Sequence, residues 1–551
     1  MRLNLQAALI LLVLAVGAAY HNSVKGAFLW DDEETVVENV FIRSPKHLPE
    51  IFSSSFHAGS GHTVPYYRPL ITVTYMIDYH LWGLKPFGFH VTNILLHLLN
   101  VLLIFLLLRA FFSDAAVALL TAALFAVHPI HTEVVNYVSC RPDLVMVFLS
   151  LCGLFSYHRY RTDKKQIFLV LSIACYVGLA LSKETGLMFP LVLVAYDRIV
   201  YPRFQAVSPN RKKPQAAEPL PLKVYGFFAA VFVLYALLRM TVFNFIGGNM
   251  LTQGTLGTAA NSNVGLRLLG FAKAMLVYFR LFFIPTHLHS DYDRIVTSSY
   301  LDLHAWLAAG VFCAFVALVF RWGRKEPKIL FGLAWFLIGL ITISGLVPFN
   351  TSMAERYMYL PSIGFFLILC SAAAAFFRKP AVRSLRPVLL VSAAVALVVL
   401  GALTVRRNPV WADPMEFFLD ITRKTTGSFR ANNNVGMEYW RKGDLVKAEE
   451  FFRRSYAINP TYAVAVNNVG YIYDTKGEIE KAEEFFAKSV GLDPNYLLAR
   501  RNLANVYVRR KKYKEALEQI RYVLKVYPYD QKARDLLKCI PPEFQTPPVG
   551  G

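Results

Sequence analysis

About eleven apolar stretches fill residues 3–405, and they leave little room for any fold but a bundle of membrane helices. Lipid offers no partner to a backbone N–H or C=O, so a chain that crosses it must satisfy those groups within itself. A spanning helix needs roughly 20 apolar residues. The expected spans are 3–20, 90–109, 115–131, 143–158, 165–182, 185–200, 222–243, 302–320, 328–347, 357–377 and 386–405. Charged residues make up only 17% of the chain, against about a quarter in a soluble domain. That deficit falls before residue 406, and residues 406–551 read as an ordinary soluble segment. The expected fold class is therefore all-α: a polytopic helical membrane domain over 1–405 and a soluble helical domain over 406–551.

The formal net charge is +21. In a membrane protein, cytoplasmic loops collect Lys and Arg, which explains the excess without nucleic acid. Residues 157–165, 201–213, 321–328 and 377–387 are such loops, and the spans above place all four on one side. A multi-pass membrane protein results, in a bacterial inner membrane or the endoplasmic reticulum, with a cytoplasmic N-terminus and an extracytoplasmic tail. Residues 3–19, "LNLQAALILLVLAVGAA", are expected as a retained anchor rather than a cleaved signal peptide, because the next segments continue the same pattern. Segment 265–285 carries Arg267, Lys273 and Arg280. It is expected as an amphipathic helix in the outer interface, with a re-entrant element as the alternative.

The six cysteines show no CxxC spacing and imply neither a disulfide framework nor a zinc site. The absence of a glycine-rich phosphate loop argues against a nucleotide-sugar donor bound in a soluble domain.

The tail repeats itself. "NNVGMEYWRKGDLVKAEEFFRRSYAINP" (433–460) returns as "NNVGYIYDTKGEIEKAEEFFAKSVGLDP" (467–494) and, more loosely, as "RNLANVYVRRKKYKEALEQIRYVLKVYP" (501–528). Pro460, Pro494 and Pro528 keep a 34-residue period, as do Ala448, Ala482 and Ala516. This resembles the tetratricopeptide repeat, with units at about 427–460, 461–494 and 495–528, and implies a helical solenoid. Such arrays bind peptides on a concave face. The recurring Asn433, Asn434, Asn467, Asn468, Asn502 and Asn505 either grip a peptide backbone or satisfy contacts between helices.

Charges beside a bilayer are costly and tend to be functional. The outer side collects several: Asp31 and Asp32 in "FLWDDEETVVEN", Arg68 in "YYRPL", His128, His131 and Glu133 in "HPIHTE", Arg141 and Asp143 in "CRPD", Lys183 and Glu184 in "LSKETG", and Glu355 and Arg356 in "MAERYMYLPS". Structural readings stand beside the functional ones. Asp31 or Asp32 could cap the helix that follows, with Glu33, Glu34 and Glu38 as its polar face. Glu355 could pair with Arg356, and Lys183 with Glu184. His128, His131 and Glu133 have ligand-like spacing but lack a fourth ligand, so no metal is expected there, although a divalent metal is compatible with the chemistry. His287, His289, Asp291 and Asp293 read as a solvated outer loop.

The loop acids, "YYRPL", "HPIHTE", "SKETG", "AERYMYLPS" and the repeat array, in that order, resemble the transmembrane and tetratricopeptide-repeat O-mannosyltransferases of the GT-C glycosyltransferase class. The resemblance implies a polyprenyl-phosphate sugar as donor, dolichyl-phosphate mannose in known members, and Ser or Thr of extracytoplasmic protein as acceptor. It places the catalytic acid in the first outer loop, at Asp31 or Asp32. Deprotonating an attacking hydroxyl needs a carboxylate in hydrogen-bond reach, and Asp32 is expected as that base. Charge growing on the leaving lipid phosphate calls for fixed cations, for which Arg356, Lys183, Arg141 and Arg68 are the candidates. Glu355, Glu184, His128, His131 and Glu133 are expected in support. The implied partners are membrane lipid, the lipid-linked donor and an acceptor protein held by the repeats. Two other readings are a non-catalytic membrane scaffold for secretion or polysaccharide assembly, and an O-antigen-ligase-like transferase of whole glycans.

Overall fold

The computed structural model describes residues 4–206, 220–245, 263–292, 297, 299–346 and 353–545. Much of the basic loop 201–213, the outer loop 348–352 and Asp293 lie outside the described residues. Among the described residues every regular element is helical. The chain divides into two compact units, residues 1–59 with 63–413 and residues 60–62 with 414–551.

The first unit is a bundle of apolar helices. Among the described residues six helices are long and apolar enough to cross a membrane: Leu5–Lys25, Pro86–Phe112, Val138–Asp163, Leu222–Met240, Leu303–Gly323 and Pro387–Trp411. The count is seven when the bent pair Ala115–Val127 and Pro129–Asn136 is taken as one span, and Gln166–Ala180, Pro327–Ile343 and Pro361–Phe376 are shorter apolar helices. Length thus separates ten of the eleven expected segments into full spans and shorter apolar helices. The expected span 185–200 is corrected: it is a tight turn Glu184–Met188, a seven-residue helix Phe189–Ala195 and a wide turn Tyr196–Val200, too short a regular helix to cross a bilayer. The protein is a multi-pass membrane protein.

Proline marks where many of these helices begin. Pro69, Pro86, Pro142, Pro327, Pro361 and Pro387 each stand in the first turn of a helix, where the missing N–H has no intrahelical partner to lose. Helices Pro327–Leu340 and Pro361–Phe376 pack closely at paired glycines. A Cβ on Gly332 would sit 2.8 Å from the carbonyl oxygen of Gly364, so any side chain there would push the two apart.

Segment Val264–Phe283 is one amphipathic helix with a buried face that includes Leu269, Met275, Tyr278 and Phe282. Phe282 stacks on Phe365 at 4.2 Å between ring centroids. Its cations turn to polar partners: Lys273 Nζ pairs with Asp302 at 3.0 Å, and Arg267 Nε donates to Gly345 O at 2.7 Å.

The second unit is a tetratricopeptide array. Three helix pairs, Phe429–Arg441 with Leu445–Ile458, Ala463–Thr475 with Ile479–Leu492, and Leu497–Arg509 with Tyr513–Val526, follow Pro414–Lys424 and precede Gln531–Lys538. The repeat is legible bond by bond. Ser455 Oγ donates to Phe429 O at 2.7 Å, and Ser489 Oγ donates to Ala463 O at 2.8 Å. Ala448, Ala482 and Ala516 are fully buried where paired helices meet. Gly436 lets its helix approach the next, since a Cβ there would lie 2.6 Å from the Phe452 ring. The turn inside each pair needs a left-handed residue, supplied by Gly443 (φ 79°), Gly477 (φ 78°) and, in the third copy, Lys511 (φ 60°).

The asparagines form a ladder between repeats. Asn502 Nδ2 donates to Asn467 Oδ1 at 2.9 Å, Asn467 Nδ2 to Asn468 Oδ1 at 3.1 Å, and Asn468 Nδ2 to Asn433 Oδ1 at 2.8 Å. Beside it lies a cavity of about 500 Å³ walled by Trp440, Tyr471, Asn502, Asn505 and Lys532.

Candidate active site

The loop after the first helix turns sharply at Trp30. This residue sits at φ 50°, a left-handed conformation that costs a residue with a Cβ about 1–2 kcal/mol. The turn is closed by Asp32 N donating to Leu29 O at 2.9 Å and Glu33 N to Trp30 O at 3.2 Å. A single wide helical turn, Glu33–Val37, follows, with Glu38 N donating to Glu33 O at 2.8 Å.

Asp32 is fully buried. Its Oδ1 accepts from Ser139 N at 2.7 Å and Ser139 Oγ at 2.5 Å, and its Oδ2 accepts from Leu29 N at 2.9 Å. It makes no side-chain cap to the turn it precedes. Burial pushes its carboxyl up to about 7, although the bonds from Ser139 and Leu29 oppose this. A general base must come within hydrogen-bond reach of the proton it takes. Asp32 is shut off from solvent with both oxygens engaged, so the expectation that it meets a substrate hydroxyl is corrected: it ties the loop to residue 139.

Asp31 is the exposed member of the pair. Its backbone is fixed by Asp31 N donating to Tyr137 Oη at 2.8 Å and Thr35 Oγ1 donating to Asp31 O at 2.9 Å. Glu34, His57 and Arg356 act electrostatically on its carboxyl, beside the Tyr137 hydroxyl. Desolvation in this recess, then Glu34, raise its carboxyl above the ordinary range, while His57 and Arg356 pull the other way.

Three of the four expected cations are each tied to a carboxylate. Helix Ala115–Val127 breaks at His128–Pro129 and resumes with a 53° bend, as a proline that lacks an N–H dictates. The bend delivers Glu133, whose Oε2 accepts from Arg356 N at 2.9 Å and whose Oε1 accepts from Arg356 Nη1 at 2.6 Å. Glu133 is fully buried, whereas the Arg356 side chain keeps 25% of its surface open. Lys183, in the turn after helix Gln166–Ala180, reaches Asp143 at 2.5 Å. Arg68, just before Pro69, pairs with Glu184 at 2.8 Å, and its guanidinium lies 4.4 Å from the centroid of the Tyr66 ring. Glu133, Arg356, Asp143 and Lys183 all act electrostatically on the buried thiol of Cys140, and Arg68 and Arg356 both act on the Tyr66 hydroxyl. Each cation is held by a carboxylate from a different segment, a preorganised arrangement that needs little rearrangement to meet a developing negative charge.

Arg141 departs from its expected role. Its side chain is 0% exposed and 2.6 Å from Asp78. Its Nε donates to Asn93 Oδ1 at 2.9 Å and its Nη2 to Phe89 O at 3.1 Å. With its fork spent inside the bundle it has no face to offer a phosphate. His128 and His131 are also packing groups. His128 Nε2 lies 3.1 Å from Phe282 O, and the two ring nitrogens of His131 lie 2.9 Å from Phe125 O and 3.0 Å from Ser362 Oγ. Glu355 does not pair with Arg356. It is fully buried and accepts from Tyr292 Oη at 2.8 Å; burial raises its carboxyl, with Arg407 opposing and Glu133 adding. Lys183 and Glu184 likewise take separate partners.

His57, Tyr66 and Asp78 are not expected from the sequence as partners of these groups, and Glu34 is expected only on a polar helix face. Asp78 carried a signal, an acid inside the apolar run "LITVTYMIDYHLW", which predicts a buried partner. His57 carried none, as a lone histidine in a Ser-rich loop.

The described residues form a polytopic helical membrane unit with charged pairs at its helix ends, and a separate tetratricopeptide array. The sequence profile described as dolichyl-phosphate-mannose-protein mannosyltransferase matches residues 69–213, and that of the tetratricopeptide repeat matches 429–462 and 463–496. The chain is 26% identical over 471 residues to protein O-mannosyl-transferase TMTC3 of Mus musculus, covering 82% of this chain and 51% of that protein. It is 26% identical to protein O-mannosyl-transferase F38B6.6 of Caenorhabditis elegans, over 82% of this chain and 63% of that one. Over a shorter stretch, 32% of this chain and 20% of the relative, it is 33% identical to protein O-mannosyl-transferase TMTC1 of Mus musculus. The chain thus spans between about half and two thirds of the first two relatives' length. The crystal structure of the Archaeoglobus fulgidus oligosaccharyltransferase aligns at 14% identity with a TM-score of 0.40, over 82% of this chain and 59% of that one, too loosely to carry a conclusion. The chain is thus similar in sequence to the transmembrane and tetratricopeptide-repeat protein O-mannosyl-transferases.

Proposed function

We propose that this protein transfers a mannose-like sugar from a polyprenyl phosphate to Ser or Thr hydroxyls of extracytoplasmic proteins. The observation that carries this reading is the exposed Asp31, on whose carboxyl Arg356 acts, with Lys183 and Arg68 as further cations held by Asp143 and Glu184. Asp31 takes the proton of the acceptor hydroxyl as its oxygen bonds to the anomeric carbon. The bond from that carbon to the lipid phosphate breaks, and the phosphate keeps the electron pair. Arg356, with Lys183 and Arg68, balances the charge that grows on it. Glu133, Asp143 and Glu184 hold those cations in place, and Asp32 fixes the loop that presents Asp31.

In this reading residues 1–405 form the transferase domain and residues 406–551 the acceptor-recruiting domain, with the recess and the repeats on the extracytoplasmic side. The test is transfer by the purified full chain from a series of donors (dolichyl-phosphate mannose, dolichyl-phosphate glucose and undecaprenyl-phosphate mannose) to Ser/Thr peptides. Transfer from one of them supports the reading. No transfer from any, with a folded protein, overturns it in favour of the scaffold. A reporter fused after Gly551 that reads as cytoplasmic overturns the orientation.

A further inference from the structure

Helix Leu222–Met240 turns much of its surface to lipid: Phe227, Val233, Leu234, Leu237 and Met240 are each more than half exposed. A polar contact ties it to the bundle near either end. In its first turn Tyr225 Oη donates to Asp197 Oδ2 at 2.8 Å. In its last turn Arg239 Nη2 donates to Pro65 O at 2.5 Å, and Arg239 Nη1 donates to Phe243 O. The Phe243 ring stacks on that of Tyr67, 4.3 Å between centroids. Tyr67 is itself buried, and its Oη donates to Phe52 O at 2.8 Å. Arg239 therefore grips the segment 65–68 twice, directly at the Pro65 carbonyl and through Phe243 against Tyr67.

An arginine at the end of an apolar span ordinarily reaches out to the headgroups. This one spends its planar fork on backbone carbonyls, one of them in a segment more than 170 residues away. The gripped segment ends at Arg68, whose guanidinium lies 4.4 Å from the Tyr66 ring centroid and 2.8 Å from Glu184. Glu184 keeps 32% of its surface open, so the ion pair alone leaves Arg68 room to swing. Pro65 has a fixed φ, and holding its carbonyl directs the chain that carries Arg68. Placement matters here, because a shift of about 1 Å in a catalytic group costs up to about 100-fold in rate.

We propose that Arg239 is a positioning residue that sets Arg68 for the departing lipid phosphate. This rests on the function proposed above. Arg239 touches no reacting atom and acts through the backbone of residues 65–67. The competing role, a simple mooring for its helix, is one that Tyr225 shares, and Tyr225 does not touch the Arg68 segment.

The test is kcat and KM of the purified full chain with dolichyl-phosphate mannose and a Ser/Thr peptide, with a melting temperature for each variant. The variants are Arg239→Met, Arg239→Lys, Tyr225→Phe, Arg68→Gln and the double change Arg239→Met with Arg68→Gln. Arg239→Met is expected to lower kcat about tenfold with KM for the peptide unchanged. Arg239→Lys should recover part of that, since an ammonium can still serve one carbonyl. Tyr225→Phe loosens the same helix at its other end and should keep wild-type kcat. The double variant should be no slower than Arg68→Gln alone, because a residue that acts through Arg68 then has nothing to act on. Where Arg239→Met does not fold, Arg239→Lys takes its place in the same cycle. Wild-type kcat in the Arg239 variants overturns the inference. So does a double variant that loses the product of the two single losses, or a Tyr225→Phe variant as slow as Arg239→Met. A wild-type chain that transfers nothing overturns the function itself. One that transfers, is slowed by Arg68→Gln and is indifferent to Arg239 overturns the positioning role alone.

Discussion

Asp31 and Asp32 are neighbours in the chain and opposites in surroundings: Asp31 is exposed, while Asp32 is fully buried under hydrogen bonds from Leu29 and Ser139. One loop therefore presents one acid to solvent and buries the other under hydrogen bonds from residues 29 and 139.

The buried member predicts a pH dependence of stability. The Asp32 carboxyl stands at about 7 in the folded protein against an ordinary 3.8. A raised folded value means that the native state binds the proton more tightly. That contribution is fully present below about pH 4 and is lost as the pH rises through about 7. The melting temperature of the detergent-solubilised protein should therefore fall over this window. Asp32→Asn should flatten the slope and cost about 1–3 kcal/mol, because the Leu29 N–H loses its acceptor. An unchanged slope in Asp32→Asn would contradict the burial of this group.

Arg356 and Glu133 predict a different split. Arg356→Gln should lower kcat by about 100-fold, the scale of losing one preorganised charge donor. Arg356→Lys should recover only part of it, since a point charge cannot reproduce a guanidinium fork. Equal kcat in the Lys and wild-type forms would show that the fork is not used.

Arg141 and Asp78 predict stability without catalysis. Arg141→Met leaves Asp78 buried and unpaired, which should cost about 3–5 kcal/mol. Adding Asp78→Asn should restore most of that loss. Activity per folded molecule should stay near wild type in the double variant. A loss of activity there without a loss of stability would return Arg141 to the substrate site.

How much of this was legible in the sequence differs by layer. The helical bundle was, because lipid forces a run of apolar residues to declare itself. The repeat array was, down to its period, because Ala448, Ala482 and Ala516 meet the same neighbours in each copy. The charged residues near the helix ends were legible as noteworthy, since charge beside a bilayer is expensive. Their pairing was not. Glu355–Arg356 and Lys183–Glu184 look like pairs because they are adjacent, yet successive side chains on a tight turn diverge, and each finds a partner from a distant segment. The choice between Asp31 and Asp32 was illegible for the same reason: it depends on Ser139, more than a hundred residues away.

The third repeat predicts a stabilising change. Gly443 and Gly477 hold the left-handed turn at no steric cost, and Lys511 holds it at φ 60°. Lys511→Gly should raise the stability of the array by about 1 kcal/mol, read as a higher denaturation midpoint of the full chain. A lower midpoint would mean that the Lys511 side chain offsets its backbone strain.

The central claim is that Asp31 is the base. Its most direct measurement is mannose transfer from dolichyl-phosphate mannose to a Ser/Thr peptide by purified wild type, Asp31→Asn and Asp32→Asn, side by side and corrected for folded protein. Wild type is expected to transfer, Asp31→Asn to fall about 100-fold or more while melting like wild type, and Asp32→Asn to keep the larger share of activity per folded molecule. Full activity in Asp31→Asn, beside an active wild type, would contradict the account.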